Sequence, residues 1–340
     1  MNEHLQLPEI VFGTSGLGNL YKALPQELKD DIIKEYVKHS PGRVFFDSAG
    51  KYGAGLALES LGKGLKASGV SPDKVMISNK LGWYRTELTT PEPTFEPGVW
   101  KDLQYDAVQQ ISYDGILACY EQGNSLLGDY KAEWVSVHDP DEYLAAAKTE
   151  QEKAERFSDI LDAYRALNDL KKDGQVKAIG VGSKDWKIIR EISGVVALDW
   201  VMIANSMTIH SHPADLVAFM KKLEKKGVAI INSAVFNGGF LTGLDYYNYQ
   251  PVSRETNPAL YQWRESFYEI CAASDIRPEA ACVAFALRAP GVKSVALSTT
   301  NPNRVEANAG MGRVVIPDNF WRILVTNNLI DADYAESFLY

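Results

Sequence analysis

The chain has 340 residues, of which 46% are hydrophobic and 23% charged, and its net charge is −9. The acidic balance argues against a general surface for nucleic acids or anionic membranes, and no run approaches the ~18 apolar residues of a membrane-spanning helix. The three cysteines are odd in number and lack metal-binding spacing, so neither a disulfide framework nor a metal site is predicted. The N-terminal segment 1–8 lacks the features of a signal peptide, and a cytoplasmic location is expected.

Eight short apolar runs are predicted to be buried β-strands, and they lie near residues 10, 45, 77, 136, 180, 201, 230 and 296. Helical periodicity separates these runs, and it covers residues 28–39, 55–66, 107–127, 157–172, 186–192, 213–226, 258–274, 278–288, 303–309 and 320–328. Apolar strands that alternate with helices are typical of a parallel sheet covered on both faces. Eight such units predict an α/β fold, a (β/α)8 TIM barrel, with residues 1–340 as a single domain and a helix at the C-terminus. An open, doubly wound sheet is the alternative.

Two segments depart from this alternation. Gly13–Gly18 resembles a phosphate-binding loop, but its GxxGxG order is not the dinucleotide fingerprint, so it is predicted to be a strand-end loop with close backbone approach. Residues 81–105 contain Pro91, Pro93 and Pro97, which exclude a helix there. A loop this long, after the third strand, is usually functional. We expect it to fold over the rim at which that strand ends.

Ionisable residues lie where three consecutive predicted strands end. Asp47 ends the second strand, Lys80 the third and His138 the fourth, and Tyr52 follows in the loop after Asp47. The carboxyl ends of barrel strands meet on one face, where active sites lie. Each residue alone has an ordinary structural explanation, but their common position favours a catalytic site.

These residues resemble the catalytic tetrad of the aldo-keto reductases, and the resemblance extends over almost the whole chain. The segment Ser48–Gly55 and the long loop look most like the branch of D-threo-aldose 1-dehydrogenases (L-fucose dehydrogenases) and pyridoxal 4-dehydrogenases. The resemblance implies an NAD(P)-dependent oxidoreductase in which the nicotinamide carries the hydride.

The resemblance also implies where the cofactor binds. The residues expected to hold it follow strands 1, 5, 6, 7 and 8, and they are Gly13, Thr14, Ser183, Asn205, Ser233, Ala234, Asn237, Gly238, Gly239, Leu241, Ser298, Thr299, Arg304 and Asn308. Members that prefer NADP usually carry Lys where this chain has Ser298, and an acidic residue is common where it has Ala307. Arg304, however, is present where the family has an arginine. The pattern therefore slightly favours NAD, or use of both cofactors, over strict NADP.

The tetrad residues predict a division of labour. A tyrosine with a pKa near 10 is a poor proton partner at neutral pH. A cationic Lys80 is therefore expected to lower the pKa of Tyr52, with Asp47 holding the ammonium in place. His138 is expected to orient the substrate oxygen. Tyr52 is the acid in reduction and the base in oxidation.

The substrate is expected to be a small molecule, bound by Trp83, Asp139 and His210. Polar groups near the rim suit a hydroxylated substrate, which suggests an aldose in ring form that is oxidised at C1 to the lactone. Pyridoxal 4-dehydrogenase activity and general aldehyde or ketone reduction are the alternatives. An alternative from another functional class is a regulatory subunit that binds the cofactor but catalyses no reaction.

Overall fold

The computed structural model describes residues 7–339, with side chains for residues 7–336, so most of the predicted N-terminal segment lies outside the described residues. The strands are β1 Ile10–Gly13, β2 Val44–Ala49, β3 Val75–Leu81, β4 Trp83–Glu87, β5 Tyr105–Gln109, β6 Trp134–His138, β7 Ala178–Ser183, β8 Trp200–Ala204, β9 Ala229–Ser233, β10 Tyr246–Tyr247, β11 Gln250–Pro251 and β12 Val292–Leu297. The α-helices are α1 Gln26–Lys38, α2 Leu56–Ala67, α3 Tyr113–Leu127, α4 Pro140–Ala145, α5 Glu150–Lys172, α6 Trp186–Val195, α7 Ala214–Lys225, α8 Pro258–Ala273, α9 Pro278–Leu287, α10 Val305–Gly310, α11 Asp318–Thr326 and α12 Ala332–Leu339.

Eight strands close into one parallel barrel in the order β1-β12-β9-β8-β7-β6-β3-β2. At the closure, β1 pairs with β12 on one side and with β2 on the other. Closure leaves no unpaired strand edge, and α-helices surround the barrel. The predicted (β/α)8 barrel and its eight strand positions are therefore confirmed. Within residues 7–339, no helix combines the length and the apolar character that crossing a membrane requires.

Apolar side chains fill the lower part of the barrel interior. They form one cluster, which comprises Val11, Phe45, Met76, Trp134, Ala178, Trp200, Met202, Ala229 and Ile231. The Trp134 and Trp200 rings pack with centroids 5.7 Å apart. A Cβ at Gly180 would lie 2.5 Å from the Trp200 ring, so glycine there makes room for the indole. This apolar layer forms the base of the barrel interior beneath the carboxyl ends of the strands.

The alternation of side-chain direction along each strand also determines where the ionisable residues point. Side chains of a strand point to opposite faces with period two. Phe45 points inward, so Asp47 does as well. Trp134 points inward from β6, and His138 lies four residues further along on the same face. The period therefore places these polar side chains directly above the apolar layer.

Residues 81–105 are not one irregular loop. β4 and β5 pair as an antiparallel ribbon at its two ends, so the predicted helix start at residue 107 is wrong. α3 begins at Tyr113 because the Ser112 hydroxyl accepts a hydrogen bond from the Gly115 N–H at 3.0 Å and caps the helix. The prolines lie in the connecting segment 88–104, whose residues Phe95, Trp100 and Leu103 share an apolar cluster with Ala54 and Ala107.

Two helices and the start of a third were not predicted from the apolar periodicity of the sequence. α4 follows β6 directly, and α5 begins at Glu150 rather than at residue 157. Its first turns lack apolar periodicity, but the Thr149 hydroxyl accepts from the Glu152 N–H at 3.0 Å and sets the start. α12 follows α11, so the helix predicted at 320–328 does not close the chain.

Candidate active site

The ends of β2, β3 and β6 bring Asp47, Lys80 and His138 together, and the loop after β2 adds Tyr52. The Lys80 ammonium donates to Asp47 Oδ2 at 2.5 Å, and the Ser78 hydroxyl donates to Asp47 Oδ1 at 2.7 Å. The same ammonium lies 4.8 Å from the centre of the Tyr52 ring. The Tyr52 and His138 rings meet edge to face, with centroids 5.6 Å apart. Asp47, Lys80 and His138 are each 3% exposed, so the charges of Asp47 and Lys80 are little screened by water.

The Gly-rich segment after β1 seats the loop that carries Tyr52. A Cβ at Gly18 would lie 2.8 Å from the Tyr52 carbonyl. Gly53 has a φ of +63°, and a Cβ there would lie 2.3 Å from the Gly18 carbonyl oxygen. The Thr14 hydroxyl also donates to the Asp47 carbonyl at 3.0 Å. The expected close backbone approach of Gly13–Gly18 is therefore confirmed, and it positions the neighbouring loop.

Burial dominates the acidity of Tyr52. The pKa of Tyr52 is raised well above 10.0, first by the loss of water and then by the carboxylates of Asp47 and Asp139. The pKa of Tyr52 is therefore raised rather than lowered as expected, because burial and these carboxylates outweigh the nearby cations and Asp47 offsets part of the Lys80 charge. Lys51 is the cation that does lower the pKa of Tyr52. Tyr52 thus carries its proton at neutral pH, as a proton donor in reduction must, although the raised pKa makes it a weaker acid.

The His138 imidazole is neutral at physiological pH. Burial lowers the pKa of His138 well below 6.5, and the nearby Lys80 and Lys51 ammonium groups lower it further. Its Nε2 lies 3.6 Å from Asp139 Oδ2, and its Nδ1 has no hydrogen-bond partner within residues 7–336. A neutral imidazole can donate one hydrogen bond to a substrate oxygen without adding charge.

A cavity of about 490 Å³ opens above these residues at the carboxyl ends of the strands, within the size range of small-molecule sites. It brings together many of the residues predicted from the sequence, namely Gly13, Asp47, Tyr52, Lys80, His138, Asp139, Ser183, Ser233, Ala234, Gly238, Gly239 and Ser298. These residues come from the ends of seven of the eight barrel strands, and Ala204 at the end of β8 also lines the cavity.

Five charged residues, here called the rim cluster, lie together beside the cavity: Lys51, Glu96, Asp139, Glu142 and Lys184. The Lys51 ammonium lies 2.8 Å from Glu96 and 2.8 Å from Glu142, although its side chain is only 4% exposed. The Lys184 ammonium lies 2.5 Å from Glu142 and 3.8 Å from Asp139. Burial raises the pKa of Asp139 to about 6 despite these two cations. The sequence analysis missed this cluster, apart from Asp139 as a substrate candidate.

Two of the residues predicted to bind substrate lie elsewhere. Among the described residues, neither Trp83 nor His210 lines the cavity. Trp83 packs against Phe95, with ring centroids 5.6 Å apart. A ring nitrogen of His210 lies 2.9 Å from the Tyr247 hydroxyl, and the imidazole meets the Trp263 ring edge-on. Asp139 does line the cavity.

The remaining cofactor candidates surround the cavity less closely. The Asn237 amide donates to the Asn205 carbonyl at 3.3 Å, and Leu241 is fully buried. After β12, Thr299 and Asn308 are half-buried. Arg304 is exposed and has no ion pair within residues 7–336.

The site has features that fit a nicotinamide dinucleotide. Asn205 Oδ1 is buried and has no hydrogen-bond partner among the described side chains, so it can accept from a carboxamide. In the segment after β9, Ala234 and Asn237 have φ values of +52° and +48°, and Gly238 and Gly239 of +73° and +95°. Left-handed residues in such a turn direct backbone N–H groups into a concavity that suits an anion such as a pyrophosphate.

Residues 9–326 match the sequence profile of the aldo/keto reductase family. The chain belongs to this family. It is 26% identical to pyridoxal 4-dehydrogenase of Microbacterium luteolum, with 96% of this chain and 95% of that protein covered. It is 25% identical to D-threo-aldose 1-dehydrogenase of a Pseudomonas species, again over 96% and 95%. A solved aldo-keto reductase of Bacillus halodurans, in its holo form, superposes with a TM-score of 0.67 at 17% identity, covering 95% of this chain and 92% of that one.

Family membership makes the protein an NAD(P)-dependent oxidoreductase, as the resemblance implied. One signal could have revealed part of the rim cluster: Lys51 lies directly before Tyr52, inside the segment that carries the resemblance. Its partners Glu96 and Glu142 lie in segments with no local pattern that points to the site.

Proposed function

We propose that the protein oxidises an aldose in ring form at C1 to the lactone, with Tyr52 as the acid/base and Asp47, Lys80 and His138 as its catalytic partners. The observation that carries the proposal is the rim cluster, which lies beside the tetrad in one cavity. Charged groups make strong hydrogen bonds to hydroxyls, so a cavity lined by these charges suits a hydroxylated substrate better than an apolar one. The name of the D-threo-aldose relative is consistent with this substrate class.

The chemistry divides between the cofactor and the protein. A bound nicotinamide accepts or supplies the hydride. In reduction, the Tyr52 hydroxyl donates its proton to the carbonyl oxygen, while the neutral His138 donates a hydrogen bond to the same oxygen. In oxidation, the deprotonated Tyr52 oxygen takes the proton of the C1 hydroxyl. The Lys80 ammonium, 4.8 Å from the ring and held by Asp47, stabilises the phenolate when it forms.

A Tyr52→Phe variant tests the proposed role. We expect kcat to fall by about 10²- to 10⁴-fold, which is the usual contribution of a positioned proton donor. Cofactor affinity, measured by fluorescence titration, should stay near the native value. Tyr113→Phe is the control, since it removes another tyrosine hydroxyl, one that bonds Asp169 and lies away from the cavity. Near-native turnover of Tyr52→Phe at saturating substrate would overturn the assignment.

A substrate panel decides between the candidate activities. Absorbance of the reduced nicotinamide should report turnover of L-fucose or D-arabinose above that of simple aldehydes. Pyridoxal is the second candidate because Trp100 and Tyr249 give the cavity aromatic groups, and because one relative is named for it. Preferential turnover of pyridoxal would replace the aldose proposal. Tight cofactor binding with no turnover of any substrate would instead indicate a regulatory subunit.

We also propose that NAD, or both cofactors, serve the enzyme. Ser298 lines the cavity and offers no charge to a 2′-phosphate, whereas Arg304 is exposed and can meet either a phosphate or an adenine ring. The ratio of kcat/KM with the two cofactors measures the preference, and a strong preference for NADP would contradict it. A cytoplasmic location and a single domain over residues 1–340 remain parts of the proposal.

A further inference from the structure

A chain of three contacts connects Lys51 to the catalytic tyrosine. Glu96 Oε1 lies 2.8 Å from the Lys51 ammonium, and Glu96 Oε2 accepts the indole N–H of Trp100 at 2.6 Å. The Trp100 ring in turn lies beside the Tyr52 ring, with centroids 5.7 Å apart. Trp100 and Glu96 both line the cavity. Each oxygen of the Glu96 carboxylate thus has its own partner, and the two partners fix its orientation.

The burial of Lys51 makes this arrangement rigid. An exposed ion pair contributes little to structure, because water competes and the side chains lose entropy. The Lys51 side chain is only 4% exposed, and Glu142 also pairs with its ammonium at 2.8 Å. Its ammonium also lies 5.3 Å from the centre of the Trp83 ring. A buried ammonium among fixed partners has few other positions, so it constrains Glu96.

The backbone of the same segment is fixed by separate contacts. The Tyr21 N–H donates to the Val99 carbonyl at 2.8 Å, and the Lys101 N–H donates to the Asn19 carbonyl at 3.1 Å. These bonds do not involve Lys51 or Glu96. The contacts from Lys51 to Trp100 therefore control the direction of the indole ring rather than the course of the chain.

We propose that Lys51 is a positioning residue that determines substrate specificity: through Glu96 it holds the Trp100 indole as a wall of the substrate cavity beside Tyr52. The inference rests on the proposed function and identifies which residues set its substrate range. A hydroxylated substrate larger than glyceraldehyde extends further from Tyr52 and His138 and contacts more of this wall. The wall is therefore expected to matter more for an aldohexose than for the small aldehyde.

Lys51→Met removes the ammonium and keeps a long side chain. We expect KM for an aldohexose to rise about 10- to 100-fold, as for other misplaced binding groups, while KM for glyceraldehyde and cofactor affinity stay near native values. In this variant kcat is expected to change as well, because Lys51 also lowers the pKa of Tyr52. Glu96→Gln keeps Lys51 and should raise KM for the aldohexose in the same way, with kcat for glyceraldehyde near the native value. It also threatens folding less, because Glu96 is 29% exposed. Lys51→Arg, which keeps the charge, should restore a near-native KM. The control is Lys177→Met, which removes a 2.7 Å ion pair to Glu133 just before β7.

A second measurement follows the indole itself. In ¹⁵N-labelled protein, the Trp100 indole N–H is the one of seven tryptophan signals that Trp100→Phe removes. We expect this proton to exchange with water much faster in Lys51→Met, because its acceptor is no longer fixed. Unchanged exchange, or an unchanged KM for the aldohexose, would overturn the inference. If the native protein turns over no substrate, the proposed function fails, and the exchange measurement alone decides the role of Lys51.

Discussion

Replacing Asp47 with Asn is expected to destabilise the fold as well as to impair catalysis. The carboxylate of Asp47 and the ammonium of Lys80 are 4% and 3% exposed and lie 2.5 Å apart, so water cannot replace either partner. Removing one member of a buried ion pair typically costs about 3–5 kcal/mol, because the other charge stays buried and unpaired. This is a large share of the roughly 5–15 kcal/mol that stabilises a folded protein. Urea unfolding at neutral pH, followed by circular dichroism, measures the loss.

Two further variants test whether the unpaired charge is the cause. Asp47→Asn/Lys80→Met removes both charges and is expected to recover most of the lost stability. Ser78→Ala removes only the hydroxyl that bonds Asp47 Oδ1 and should cost about 1.5–3 kcal/mol, because its acceptor is a charged group. The reasoning is refuted if Asp47→Asn costs no more than Ser78→Ala, or if the double variant is no more stable than the single one.

Three other predictions concern groups around the same cavity. The pKa of Asp139 is raised from 3.8 to about 6, so the folded state holds this proton more tightly than the unfolded state, and stability falls as pH rises from about 4 to 6. The free energy of unfolding of Asp139→Asn should therefore rise relative to that of the native protein over this range, by on the order of 3 kcal/mol, and the difference should stay constant at higher pH. Urea unfolding of both proteins at several pH values measures it. No change in the difference between the two proteins across that range would contradict this. Gly18→Ala places a Cβ 2.8 Å from the Tyr52 carbonyl, so kcat is expected to fall on the order of 10²-fold with little change in cofactor affinity; a native kcat would show that the two loops can separate. Because the pKa of Tyr52 lies well above 10.0, kcat/KM for oxidation should still be rising with pH at the alkaline end of the accessible range, whereas kcat/KM for reduction should be flat through neutral pH; a plateau for oxidation near neutrality would contradict the raised pKa.

The barrel was predictable because its strands are buried on both faces and therefore read as continuous apolar runs. The convergence of Asp47, Lys80 and His138 followed from one topological fact, that all eight strands point the same way. The ribbon of β4 and β5 was missed because its strands are short and half-exposed, which weakens their pattern. The start of α3 depended on the Ser112 cap rather than on periodicity.

The substrate side of the site was less predictable because it is built from loops. Trp83 follows Lys80 by three residues, and proximity in sequence suggested the same cavity. Gly82, with a φ of +116°, turns the chain between them, so that Trp83 begins β4 and packs away from the cavity. Trp100 reaches the cavity instead, at the far end of a segment whose path only tertiary contacts define. No spacing rule connects Trp100 to Tyr52.

The acidity of Tyr52 shows why charge assignments from sequence are the least secure. The sequence supplies a cation at the end of β3, and the simplest reading places it next to the tyrosine to lower the pKa. In the folded chain, Asp47 pairs with the Lys80 ammonium and offsets part of its charge, and burial removes the water that would stabilise a phenolate. Lys51 also lowers the pKa of Tyr52, but its charge is shared among the carboxylates of the rim cluster. The proton of Tyr52 is therefore governed by how deeply the ring is buried and by how neighbouring charges are paired, and neither property is local in sequence.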